Sequence, residues 1–194
     1  MKINGGSRSF FFLSIILVFF DQLTKLLVKG FNVFGITKEG FGLGESYSLI
    51  GEFAKITYVE NAGMAFGISF GPAKIILSLF SILASGFLVY YLNKVSEYSR
   101  YFKLGVSFIL AGAVGNLIDR VFYGVLYGEA PIFYGKVVDY MQFDIPDINI
   151  FGIYYTHWPV FNVADSCITI GVVLLLVFNK QIPSFSQVFK KNRI

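Results

Sequence analysis

Four long apolar runs constrain this chain more than any other feature. They cover roughly residues 9–28, 72–92, 103–121 and 162–179. As helices rising about 1.5 Å per residue, each comes near the length that ~30 Å of bilayer hydrocarbon demands. A water-soluble body of 194 residues would have to bury all four, yet only 14% of residues are charged against 55% apolar. The runs therefore read as four membrane-spanning helices in a single integral membrane domain over residues 1–194. Lys2 and Arg8 ahead of the first run imitate a removable signal peptide. No small-x-small cleavage site follows, and helix formers continue through Leu23, Leu26 and Leu27. Pro72 suits the first turn of the second span.

Loop charge sets the orientation. With both termini cytoplasmic, that side holds Lys2, Arg8, Lys94, Arg100, Lys103, Lys180, Lys190, Lys191 and Arg193, with Glu97 as its one acid. The formal charge of +4 is thus explained at the ends of apolar runs, with no basic, aromatic-interleaved stripe for nucleic acid. Cys167 is the single cysteine, so no intrachain disulfide forms, and one His argues against a His/Cys metal site.

The two outer segments, about 29–71 and 122–161, differ in character. The first is Gly-rich and polar, and Lys55 to Glu60 alternates as a strand does, with Ile56 and Tyr58 on one face. The second carries Tyr123, Tyr127, Tyr134, Tyr140, Phe143, Tyr154, Tyr155 and Trp158, rings that favour the water–lipid boundary. It reads as a loop or helix pressed on the membrane surface.

Ionisable residues inside spans are expensive, so each calls for a reason. Asp21 and Lys25 stand four apart on one helix face, either as an ion pair near the outer surface or as part of a polar site. Asn116, Asp119 and Arg120 also share a face, above Gly112 and Gly115 that permit close approach. Arg120 could simply snorkel with Asp119 beside it; an amide, a carboxylate and a guanidinium together equally suit a binding site. Asn162 and Asp165 fit helix capping as well as chemistry. Asp139, a lone acid in an apolar stretch, reads by itself as a solvated loop residue. Cys167 with His157 makes a poor nucleophile pair, because an apolar setting leaves a thiol inert.

Taken in order, five short segments resemble the lipoprotein signal peptidase (signal peptidase II) family. They are Asp21-Gln22-Leu23-Thr24-Lys25, Asn61-Ala62-Gly63-Met64-Ala65-Phe66, Gly112 to Arg120, Val138-Asp139, and Phe161-Asn162-Val163-Ala164-Asp165-Ser166. The resemblance implies a bacterial inner-membrane aspartic endopeptidase. Such enzymes remove the signal peptide of prolipoproteins just before a cysteine that already carries diacylglycerol. It implies a dyad of Asp139 and Asp165 near the periplasmic surface, with Asp21, Lys25, Asn61, Gly63, Asn116, Arg120, Asn162 and Ala164 around substrate. Asp119 joins this set from its place on the face of Asn116 and Arg120. It further implies a periplasmic β-cradle built from the Gly-rich segment before Asn61, so the expected fold is membrane all-α with a small β element. No metal or organic cofactor is expected; the partners are lipid-modified prolipoproteins and membrane lipid, and a monomer is expected. The stretches from Arg120 to Asp139 and on to Asp165 exceed those of compact members and read as loop insertions. The competing class is a small channel or transporter using intramembrane acids, which predicts conductance and no peptide cleavage.

Overall fold

The computed structural model describes residues 4–33, 35–63, 74–150, 153–184 and 187–188. Pro72, Met64 to Phe66 of the second motif, and the basic residues Lys2, Lys190, Lys191 and Arg193 lie outside the described residues. The chain forms two compact units: residues 1–19, 79–117 and 164–194 in one, and 20–78 with 118–163 in the other.

The first unit is helical. It takes the N-terminal part of α1 (Arg8–Lys29), most of α2 (Lys74–Lys94), α3 (Arg100–Ile118) and most of α5 (Val163–Val177). Leu92, Val95, Phe102, Val106 and Leu110 form its buried centre. Small residues set how closely α3 and α5 pack. A Cβ on Gly171 would fall 2.7 Å from the Gly105 carbonyl oxygen, and one on Gly112 would strike the Ala164 carbonyl. Lys103 is buried, donates to the Gly6 and Ser96 carbonyls at 3.0 and 2.8 Å, and lies over the Phe10 ring.

Among the described residues, three helices are long and apolar enough to cross a membrane: Gly5–Lys29, Ile75–Lys94 and Arg100–Leu126. Their outward side chains, Phe12, Ile15 and Phe19 on α1 and Phe80, Leu83 and Phe87 on α2, stand exposed. Helices apolar on their uncovered faces belong in lipid, and the chain is a membrane protein with a small β element. The third helix outruns the expected 103–121. It starts at Arg100 and passes through a π-helical turn, Asp119–Tyr123, into the short α4 (Gly124–Leu126). The turn survives because a following loop satisfies its freed carbonyls: Phe133 N–H donates to Val121 O and Gly135 N–H to Arg120 O. Gly135 must be glycine here, since a Cβ would strike the Asp119 carbonyl oxygen. The last apolar helix is 15 residues, Val163–Val177, shorter than the expected 162–179.

The second unit is mostly sheet. β1 (Gly30–Val33) and β2 (Ile36–Glu39) pair with each other, and β3 (Ser46–Ile50), β4 (Ala54–Asn61), β5 (Val137–Ile150) and β6 (Ile153–His157) form an antiparallel sheet in that order. The alternation over Lys55–Glu60 is realised in β4, where Ala54 and Tyr58 face inward. Between 122 and 161 the expected surface loop or helix is largely replaced by the β5–β6 hairpin. Asp139 consequently lies on a strand, opposite Val59 and only 3% exposed, and not in a solvated loop. Val28, Tyr58, Tyr123, Val138 and Tyr140 make this unit's core.

Candidate active site

Each acid of the expected dyad is gripped by an asparagine amide. On β5, Asp139 Oδ1 accepts from Asn162 Nδ2 at 2.7 Å, and the same amide reaches the Val138 carbonyl at 3.2 Å. Asn162 is fully buried and follows Phe161, whose backbone exchanges hydrogen bonds with Met141 of β5. On α5, Asp165 Oδ1 accepts from Asn116 Nδ2 of α3 at 2.8 Å. Asp165 stands in the first turn, where the helix dipole favours a carboxylate. Its neighbour Ala164 is buried against Gly112. Asp139 and Asp165 belong to different units.

Asp21, Lys25 and Asp119 come together. Lys25 Nζ lies 2.9 Å from Asp21 and 2.8 Å from Asp119, with the three side chains between 0 and 1% exposed. Asp119 therefore pairs with Lys25 of α1 and not with its neighbour Arg120. Lys25 does not snorkel; it is sealed between two carboxylates, as a buried ammonium requires. Gln22 Nε2 closes the cluster on Asp119 at 2.9 Å and on Asp21 at 3.1 Å.

Asn61, Gly63 and Arg120 meet in a small cleft whose walls include Leu77, Ser78 and Gly135. Asn61 Oδ1 accepts from Gly63 N–H at 2.9 Å, closing a tight turn in which Gly63 has φ +91. That backbone favours glycine, and Leu77 Cδ1 would sit 2.5 Å from an added Cβ. Asn61, Gly63 and Arg120 are thus brought to one cleft.

Residues 13–179 match the family model described as signal peptidase (SPase) II. The chain belongs to the signal peptidase II family. Every sequence motif quoted above lies inside the matched residues. Among its relatives, the lipoprotein signal peptidase of Pelodictyon phaeoclathratiforme is 35% identical over 180 residues, covering 92% of this chain and 95% of the relative. That of Porphyromonas gingivalis is 38% identical over 192 residues, covering 85% and 80%. A bacterial membrane enzyme solved by the in meso method at 1.9 Å resolution superposes with TM-score 0.63 at 32% identity, covering 90% of this chain and 94% of the other.

This signal peptidase II family member also carries a second charged cluster, one that the sequence motifs do not contain. Glu60, beside Asn61 on β4, accepts from Lys29, from Lys136 at 2.6 Å and from the Tyr58 hydroxyl at 2.7 Å. Lys29 also pairs with Glu129 at 2.7 Å and lies over the Tyr127 ring. The lone acid ending an alternating strand is its one sequence signal; its lysine partners lie 31 and 76 positions away. Burial pushes the Glu60 carboxyl up, but its hydrogen bonds from Lys136, Lys29 and Tyr58 outweigh that and hold it at about 2, below its ordinary 4.5. A folded-state value below the unfolded one stabilises fully above about pH 4.5, and the stabilisation drains away as pH falls toward about 2. The thermal unfolding midpoint should accordingly fall across that window. In Glu60→Gln the midpoint is lower at neutral pH and its fall over the same window is shallower. Circular dichroism melts of both proteins at stepped pH check this; parallel curves would refute it.

Proposed function

We propose that this signal peptidase II family member cleaves with Asp139 and Asp165 as its aspartic dyad, removing the signal peptide of diacylglyceryl-modified prolipoproteins just before the lipidated cysteine. Family membership carries the enzyme class and the reaction: a peptidase acting on lipoprotein precursors. The observation that supports these two acids is the matched asparagine grip, 2.7 Å at Asp139 and 2.8 Å at Asp165. An amide donor fixes a carboxylate's orientation.

Two carboxylates working on one scissile bond share one proton, because both do not ionise readily together. The ionised member takes a proton from water as the water oxygen bonds to the scissile carbonyl carbon. The protonated member donates to the carbonyl oxygen, giving a gem-diol. Collapse breaks the C–N bond: the amine leaves with a proton from one acid, a gem-diol hydroxyl gives its proton to the other as the carbonyl re-forms, and the dyad again holds one shared proton. Asn61, Gly63 and Arg120 would hold the substrate backbone in their cleft, with Asn116, Asn162 and Ala164 framing the dyad. Water is the co-reactant, and no cofactor enters the scheme.

The topology that serves this reaction is one integral domain with four spans and both termini cytoplasmic, in the inner membrane of a bacterium. The cytoplasmic basic residues favour it, and the short α5 suffices as the fourth span where the bilayer thins around it. The reaction would then take place near the periplasmic surface.

Incubation of the purified protein with a diacylglyceryl-modified precursor and with its unmodified counterpart tests the reading. Only the modified precursor should shorten, by the mass of the signal peptide. Equal cleavage of both, or of neither, would overturn it.

A further inference from the structure

Asp139 is flanked on β5 by residues whose polar groups are held by side chains. Before it, Val138 N–H donates to Asp119 Oδ2 at 3.2 Å, and the Val138 carbonyl accepts from Asn162. After it, the Tyr140 hydroxyl donates to Thr24 Oγ1 at 2.7 Å. The ladder explains the need. One edge of β5 is covered by β4, with Glu60 opposite Val138 and Val59 opposite Asp139. Along the other edge β6 is in register between Asp144 and Ile150, and Phe161 bridges to Met141. At Val138 that second edge is closed by Asp119 and Asn162 in place of a strand.

The groups that close it are themselves fixed. Asp119 is held by Lys25 and Gln22, and Gln22 Oε1 accepts from the Tyr123 hydroxyl at 3.1 Å. Thr24 is anchored on the Phe20 and Asp21 carbonyls, both at 2.9 Å. Burial pushes the Tyr140 phenol up to about 12, so it remains a donor at any working pH. Asp21, Gln22, Thr24 and Lys25 occupy one turn of α1, and all four hydrophilic side chains are used in this support.

We propose that this turn of α1, acting through Asp119 and Thr24, is a positioning device for Asp139: it holds the strand on both sides of the catalytic carboxylate and does not touch substrate. Asp119, Gln22 and Thr24 are thereby positioning residues. The proposal rests on Asp139 being one of the dyad. A reacting group must be held to within about 0.5 Å, and a shift of ~1 Å costs on the order of 100-fold in rate.

The test measures kcat and KM separately on a diacylglyceryl-modified precursor, using full-length protein and normalising to the folded fraction from size-exclusion chromatography. Asp119→Ala should lower kcat roughly 10- to 100-fold with KM almost unmoved. Asp119→Asn should recover most of it, because the amide oxygen still accepts from Val138 and Lys25 keeps Asp21. Thr24→Val and Tyr140→Phe should each lower kcat, and the double variant should be no worse than either single one. A raised KM at unchanged kcat would place Asp119 on substrate and overturn the proposal, as would unchanged kcat in Asp119→Ala. If Asp119→Ala does not accumulate folded, additive effects of Thr24→Val and Tyr140→Phe would overturn it alone. An active Asp139→Asn would instead defeat the dyad itself, a separate outcome.

Discussion

Asp139→Asn and Asp165→Asn each leave a folded protein in the membrane that no longer converts lipid-modified precursor to its mature form. The expected loss in kcat is on the order of 10⁴-fold, the upper range for removing a general acid or base. Asparagine is nearly isosteric with aspartate, and its amide oxygen still accepts from Asn162 at position 139 or from Asn116 at position 165. The grip that places each side chain is thus kept. What disappears is the site that takes up and returns a proton, and water alone does not replace it. Gel conversion assays with the purified variants, beside melts showing an unchanged unfolding midpoint, provide the check. Near-normal processing by either variant would sink the dyad. A channel built on intramembrane acids makes the opposite forecast, with altered conductance and no cleavage in any variant.

The parts of this architecture visible in the sequence are those written in local pattern. Apolar runs announce α1, α2 and α3 because a lipid-facing helix needs no polar stripe. β4 announces itself because it is covered more on one face than on the other, which writes period-two alternation into Lys55 to Glu60. β5 hides for the reverse reason. Val137, Val138, Asp139 and Tyr140 are all buried, so both faces of the strand are covered and the alternation that marks a strand is erased. A lone acid in such a stretch looks like a loop residue until its asparagine partner, 23 positions away, is in view.

Pairings over long sequence separations are equally silent. The i,i+4 pair of Asp21 and Lys25 is legible on a helix, whereas the third member, Asp119, is recruited by a π-helical turn that no spacing rule forecasts. Adjacent in sequence, Asp119 and Arg120 invite pairing with each other; the turn sends Asp119 to Lys25 while Arg120 lines the Asn61 cleft. The family resemblance brings the acids and asparagines together as a set. It does not distinguish residues that meet substrate from those that hold the strand.

Lys25→Met should be the most destabilising single substitution in the β-containing unit. It removes the ammonium between Asp21 and Asp119 and leaves two buried carboxylates facing each other. Breaking a buried ion pair from one side costs about 3–5 kcal/mol, which for a chain of this size corresponds to a fall in unfolding midpoint on the order of 10 °C. Differential scanning measurements in a fixed detergent check it, and a midpoint within about 2 °C of the parent would contradict the buried pairing. Neutralising the whole cluster should reverse the damage, since a buried ionic set replaced by well-packed neutral groups is often no less stable. Asp21→Asn with Lys25→Met and Asp119→Asn should therefore regain most of the lost midpoint. Turnover should return with it, because the new amide oxygen at position 119 would still accept from Val138. Using Asp119→Leu in the same triple variant removes the charge and the acceptor together. Stability should then return only in part, and kcat should remain low. Turnover that returns in the Asp119→Asn triple variant and not in the Asp119→Leu one would mean that the cluster serves Asp139 through the acceptor it holds at position 119, and not through its charge.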